Sequence, residues 1–193
     1  KNSFQMNTNF IFSISSNNRP DYSSQIITQK LGYSWKNSHE NQHQLNLIEL
    51  SFAQIKNIST NIYELININF FLPEQFEDKF IPAINYIFTF NNQKLYKVTN
   101  YTYFKTKLET SGNFFQLLGQ RGYFQKNEND DFTVFNNTFS QYGRVNFDLR
   151  RYLMFSKETS LIFRSFLGIG YAYGNSEKLP IQKQFFSGGV NSI

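Results

Sequence analysis

Apolar and polar residues alternate along most of this chain, in stretches separated by turn-like segments. The first stretch, about residues 4–14, sets Phe10, Phe12 and Ile14 against Ser13 and Ser15. In the second, about 24–36, Ile27, Leu31, Tyr33 and Trp35 oppose Thr28, Lys30, Gly32 and Ser34. The third, about 43–56, sets Ile48, Leu50 and Phe52 against Glu49 and Ser51. Ile84, Tyr86, Phe88 and Phe90 share one side of the fourth, about 79–90. The fifth, about 95–111, sets Phe104, Thr106 and Leu108 against Tyr103, Lys105, Lys107 and Glu109. The sixth, about 143–153, alternates Val145, Phe147 and Leu149 with Arg144, Asn146, Asp148 and Arg150. The seventh, about 161–173, has Leu161, Phe163, Leu167, Ile169, Tyr171 and Tyr173 on one face. Ile162, Arg164, Phe166, Gly168, Gly170 and Ala172 lie on the other. Period two means strands with one apolar and one polar surface. The small residues of the last strand leave room for something to lie against its polar side, such as a folded-in loop.

The connections alternate in length. Those at 37–42, 91–93 and 156–158 read as short turns; those at 16–23, 57–78, 112–132 and after Tyr173 read as longer. In the 57–78 segment, Ile62, Leu65, Ile66 and Asn69 hint at a helical turn that Pro73 ends. Short turns at one end and long loops at the other are the pattern of outer-membrane strands, and several strands reach the roughly 9–11 residues that cross a bilayer at a tilt. Tyr33, Trp35, Tyr171 and Tyr173, near strand ends, are candidates for the membrane interfaces. Arg144, Asp148, Arg150 and Arg164 are candidates for a polar lumen wall. There they would either pair across strands or dock a loop.

Composition narrows the classes. The 193 residues suffice for a single domain, residues 1–193, and contain no cysteine, which excludes disulfides and thiolate metal sites. No basic-then-apolar leader opens at Lys1, so an export signal is expected upstream or already removed. Phe occurs 23 times and Tyr 12 times, only 17% of residues are charged, and mean hydropathy is nonetheless negative. Lipid-facing alternating strands give that combination, and so does a secreted β-sandwich. The net charge of +5 is scattered rather than gathered in a stripe, so no nucleic-acid partner is expected.

Catalytic constellations are sparse. His39, Glu40 and His43 sit at a turn with no further metal ligand near in sequence. Glu74, Glu77 and Asp78, and Glu128, Asp130 and Asp131, read better as solvated loops than as a carboxylate pair or cation site. No nucleophile elbow, phosphate loop or dinucleotide fingerprint occurs. Neither an enzyme nor a cofactor or metal site is expected.

The most specific stretch is the last, Leu179-Pro-Ile-Gln-Lys-Gln-Phe-Phe-Ser-Gly-Gly-Val-Asn-Ser-Ile193. Pro180 blocks regular pairing, and the adjacent Gly188 and Gly189 permit a shaped loop. This stretch resembles the segment leading into the Arg-Gly motif of the BamA/TamA family of outer-membrane assembly barrels; the motif's own Arg-Gly would come next, past Ile193. Arg19-Pro-Asp-Tyr22, Leu31-Gly-Tyr-Ser-Trp35, His43-Gln-Leu-Asn46, Phe76-Glu-Asp-Lys-Phe-Ile-Pro82 and Leu108-Glu-Thr-Ser-Gly-Asn113 are similar to its TamL-like branch in Bacteroidota. The resemblance implies a sixteen-stranded barrel in the outer membrane whose sixth extracellular loop folds into the lumen. Residues 179–193 would be that loop, with Gln184, Gly188, Gly189, Asn191 and Ser192 bracing the wall and Phe185 and Phe186 as anchors.

The expected fold is therefore all-β: part of an antiparallel up-and-down transmembrane β-barrel, about seven strands from its middle. Seven strands cannot close a bacterial barrel, and lipid does not tolerate an open edge. The function the resemblance implies is non-covalent. It is insertion or export of other outer-membrane proteins by strand templating, with the lipid bilayer, client β-barrel or surface proteins, and periplasmic or lipoprotein components as partners. A passive porin or uptake channel shares the alternation without needing the loop. A secreted β-sandwich binding protein would need a buried apolar core instead.

Overall fold

A computed structural model describes residues 5–18, 20, 22–60, 64, 78–94, 97–128, 130–134 and 137–185. The long strands are β1 (Gln5–Asn18), β2 (Ser23–Lys36), β3 (Asn41–Lys56), β4 (Lys79–Asn91) and β5 (Tyr101–Ser111). Two short strands follow, β6 (Thr133–Val134) and β7 (Asn137–Thr138), and then β8 (Tyr142–Met154) and β9 (Ser160–Ala172). The seven long strands form one antiparallel sheet in the order β1-β2-β3-β4-β5-β8-β9. Each long strand pairs with the next long strand in the chain, the up-and-down order expected. The sheet is open: among the described residues β1 pairs only with β2 and β9 only with β8. The all-β antiparallel expectation is met by this sheet; a closed barrel is not present. Among the described residues no helix is long and apolar enough to cross a membrane, which says nothing about strands.

Register sorts the side chains onto two faces. Gly32, Asn46, Asn85, Glu109, Arg144 and Gly170 stand in one cross-strand row. Gln42, Thr89, Lys105, Asp148 and Phe166 stand in another on the same face. The opposite face carries Phe10, Leu31, Ile48, Tyr86, Leu108, Val145 and Ile169, among others. A one-residue slip in β3, between Asn46 and Glu49, keeps both of those polar residues on the polar face. Gly32 lies opposite that bulge, where a Cβ would strike the Leu45 carbonyl oxygen and the Asn46 side chain. A glycine is needed there because the backbones approach so closely.

Burial runs opposite to the usual rule. Asn46, Glu49, Ser51, Asn85, Glu109 and Ser111 are buried on the polar face. On the apolar face Phe10 is 70% exposed, Phe163 57% and Ile169 59%. Water normally drives apolar groups inward at about 25 cal/mol per Å², so an extended exposed apolar sheet face marks a surface made for something other than water.

The connections differ from expectation in three places. Between β1 and β2 only residues 19–22 intervene, because the Ser/Asn-rich ends 15–18 and 23–25 still pair through their backbones. The ladder needs no apolar side chains. Between β4 and β5 residues 92–100 intervene, rather than a three-residue turn. Asn92 Oδ1 accepts from the Thr102 N–H at 2.7 Å and Asn100 Oδ1 from the Met154 N–H at 2.8 Å, and these bonds shape a loop. Leu95, the expected start of β5, lies outside the described residues. In the segment expected to be a second long connection, 112–132, Asn113–Gln120 forms a helix, α1. Thr60 and Glu64 are helical in the 57–78 segment, whereas Ile62, Leu65, Ile66, Asn69 and Pro73 lie outside the described residues.

The only apolar core cluster described sits at the long-connection end. Phe80, Phe132, Val134 and Phe139 are buried together, with Leu50, Phe52, Phe115 and Phe124 packed against them. Phe52 and Phe80 stack across strands at 4.6 Å between centroids, and Phe115 meets Phe80 edge-on at 5.4 Å. Asn175, just past β9, ties the cluster together: its side chain accepts from the Phe132 N–H and donates to the Phe132 and Phe139 carbonyls. Replacing Phe139, which is fully buried, by Ala is expected to cost about 3–5 kcal/mol. Limited proteolysis should then cut within 112–141 much faster while the seven-stranded sheet persists by circular dichroism.

Candidate functional site

The polar face is occupied by the chain's own continuation. After β9 the backbone turns at residues 173–176, where Gln141 pins it. The Gln141 carbonyl accepts from the Tyr173 N–H at 3.1 Å, and Gln141 Oε1 accepts from the Asn175 N–H at 3.0 Å. Ser176 Oγ accepts from the Gln141 N–H at 3.0 Å. The chain then runs back across the polar face. Pro180 precedes a single 3₁₀ turn, Ile181–Lys183, closed by the Lys183 N–H to the Pro180 carbonyl at 2.8 Å. That turn points the Lys183 side chain into the sheet.

Lys183 ends between two carboxylates. Its Nζ lies 3.1 Å from Glu49 Oε1 on β3 and 3.1 Å from Glu109 Oε1 on β5. The side chains of Lys183, Glu49 and Glu109 are 11%, 5% and 0% exposed. Two further amines complete the cluster: Lys30 on β2, 3.2 Å from Glu49 Oε2, and Lys107 on β5, paired with Glu109 Oε2. Neutral donors fill remaining lone pairs. Asn85 Nδ2 donates to Glu49 Oε2 at 2.7 Å, and the Tyr142 hydroxyl donates to Glu109 Oε1 at 2.9 Å. Asn85 Oδ1 accepts from Asn46 Nδ2 at 2.8 Å. Three ammonium groups and two carboxylates thus form a hydrogen-bonded network that spans β2 to β8. Buried charges persist only when paired and hydrogen-bonded in this way.

The two glycines of β9 make the loop's approach possible. A Cβ on Gly168 would fall 2.5 Å from the Phe185 ring, and one on Gly170 would fall 2.5 Å from Leu179 Cδ1. Phe185 therefore lies directly on the strand. The Arg144 guanidinium sits over its ring at 4.1 Å from the centroid, and Phe166 meets it edge-on at 5.9 Å. Gln184, expected as a brace, instead closes the loop's own turn, its Nε2 donating to the Leu179 carbonyl at 2.9 Å. Phe186, Gly188, Gly189, Asn191 and Ser192 lie outside the described residues.

The four expected wall residues divide into two groups. Arg144 docks the loop through Phe185. Asp148 accepts from Arg150 Nη2 at 2.6 Å and from Arg164 Nη2 at 3.1 Å, a cross-strand ion cluster on the same face. Arg150 also lies over the Tyr103 ring at 5.1 Å.

The aromatic candidates are placed at opposite ends of the apolar face. Trp35 and Tyr33 lie toward the 37–40 turn. There Trp35 stacks on His43 at 5.1 Å, and His43 Nδ1 hydrogen-bonds the Tyr86 hydroxyl at 2.7 Å. Tyr171 and Tyr173 stack at the long-connection end, with Tyr173 just past the end of β9. His43 is thus engaged by aromatic neighbours rather than by His39 or Glu40. Among the described residues no three His, Asp or Glu side chains come together as a metal site. Asp78 Oδ1 accepts from the Ile55 N–H, and Asp130 pairs with Lys126.

Sequence reasoning missed Lys183, Glu49 and Glu109 as a set. The signal was present: acidic residues on the polar sides of two strands, and a lysine following a proline in the returning loop. Their distance in the chain hid the pairing. Lys183→Ala is expected to leave two carboxylates facing only Lys30 and Lys107 and to cost about 3–5 kcal/mol. The loss should appear as a lower denaturant midpoint and faster proteolysis at 177–185. Glu49→Gln combined with Lys183→Ala should cost less than the sum of the single changes, as coupled partners do. A scan against protein-family models and searches of curated proteins and of solved structures find no match to this chain.

Proposed function

We propose that this chain is part of a transmembrane β-barrel of the cell outer membrane, of the assembly type resembling BamA/TamA. On this proposal it helps other outer-membrane proteins insert or cross without covalent chemistry. The observation that carries the proposal is the inverted burial: exposed phenylalanine, leucine and isoleucine on one face, buried carboxylates and amines on the other. In lipid the apolar face is at rest, and a water-filled lumen accommodates the polar one. Although the four-residue 19–22 connection lies at that end too, the two longest connections, 57–78 and 112–141, share one end of the sheet and support the proposal. So do the stacked aromatics near each end of the apolar face, a residue type enriched at membrane interfaces.

The latched loop favours assembly over passive conduction. A channel gains nothing from filling its own lumen. A barrel that must open along a seam needs its remaining wall held rigid, and the Lys183 network ties β3, β5 and the segment after β9 into one unit. An incoming client strand would then add to an open sheet edge through backbone hydrogen bonds.

The test uses the complete reading frame, reconstituted in phospholipid vesicles. A urea-unfolded client barrel diluted into these vesicles should reach its folded, protease-resistant form faster than with empty vesicles, and Lys183→Ala should abolish most of the gain. Unaltered client folding together with free passage of small solutes would contradict the assembly role and favour the channel.

A further inference from the structure

Helix α1 is apolar on two sides. Its inner side packs: Phe115 stands against Phe80, Phe124 and Phe139, and Gly119 lies against the Phe132 ring. On its outer side Phe114 and Leu117, three residues apart, are exposed, as is Tyr123 just beyond the helix. A surface helix bathed in water carries polar residues at such positions.

The position of the helix says what these side chains meet. Ile14, Ile27, Phe52 and Phe80 stand in one cross-strand row on the apolar face, and that row ends at the Phe115 ring. The first residue of the helix is tied to the same face. Asn113 Nδ2 donates to Thr110 Oγ1 at 2.8 Å, and Asn113 Oδ1 accepts from the Tyr173 hydroxyl at 2.9 Å. Thr110 pairs with Ile84 and Gly143, and the Tyr173 ring stacks on the exposed Tyr171. Phe114, Leu117 and Tyr123 therefore extend the exposed apolar face of the sheet around its long-connection rim.

We propose that α1 is an interfacial helix, laying Phe114, Leu117 and Tyr123 into the boundary between lipid headgroups and acyl chains. The inference rests on the membrane reading above. Aromatic and leucine side chains on an amphipathic helix bury at that depth, with its polar groups left in the headgroup layer. Packed rigidly on Phe80 and Phe139, the helix acts as a stop that sets how deeply the sheet sits.

Tryptophan quenching tests this. In the complete reading frame Trp35, the single tryptophan of these 193 residues, and any tryptophan elsewhere are replaced by Phe, and one tryptophan is placed at position 114, 117, 149 or 128. Each variant is reconstituted in phosphatidylcholine vesicles whose acyl chains carry bromine, after its strand content is verified by circular dichroism. Phe114→Trp and Leu117→Trp should be quenched to an extent comparable with Leu149→Trp on the sheet's apolar face, while Glu128→Trp should not be. Water-like, unquenched emission at 114 and 117 with Leu149→Trp quenched would overturn the interfacial helix, assign its surface to a protein partner and leave the membrane reading intact. No quenching at Leu149→Trp would overturn both.

Discussion

One buried amine organises this molecule. Lys183 neutralises two carboxylates that sit on strands separated by β4 and 134 residues of chain from Glu49 to the lysine. Lys30 and Lys107 each serve one of these carboxylates, whereas Lys183 bridges both and, alone of the three amines, joins the loop to the sheet. The requirement reaches outward. The bulge in β3 keeps Glu49 on the polar face, Gly168 and Gly170 let the loop lie flat, and Gln141 with Asn175 fixes where the loop leaves β9. Remove the lysine and those local choices lose their purpose together.

That network also explains why the sheet can afford to be polar on its enclosed side. A water-soluble sheet of this size would bury its phenylalanines and expose its lysines. Here pairing and hydrogen bonds within the ion cluster offset the desolvation of its charges, while the apolar outer face stays exposed. The two faces of each strand thus differ in polarity, and the period-two alternation is the record of that difference. The aromatic cluster around Phe80 marks where the exposed apolar face gives way to the sheet's own covering, the α1 segment and the β6–β7 hairpin.

Much of this was legible from the pattern alone. Seven strands, their order and their faces follow from alternation, because side-chain direction in a strand depends only on local parity. The room left by Gly168, Gly170 and Ala172 was legible for the same reason. What was not legible depended on partners far away. The polar ends of β1 and β2 pair through backbone groups that leave no trace in hydrophobicity. Helix α1 is two turns long, and Phe114, Phe115, Leu117 and Leu118 fit a helix only if one knows that Phe80 and Phe139 wait beneath it. The Lys183 network is the extreme case: each member looks like an ordinary solvated charge until the loop is folded back. Arg144 and Arg150, alike in sequence, take different roles because only Arg144 stands beneath Phe185.

The central claim is that the exposed face of the sheet meets lipid and the latched face meets water. These 193 residues hold no cysteine, so once any cysteine elsewhere in the reading frame is replaced, single nitroxide labels can be placed along β9, from position 161 to 171 except at Gly168 and Gly170, in vesicle-reconstituted protein. Collision with oxygen, which concentrates in acyl chains, should peak at 161, 163, 165, 167, 169 and 171. Collision with a water-soluble nickel chelate should favour the even positions 162, 164 and 166. Two alternating profiles out of phase would establish the claim. Nickel access at the odd positions, equal to that at the even ones, would contradict it.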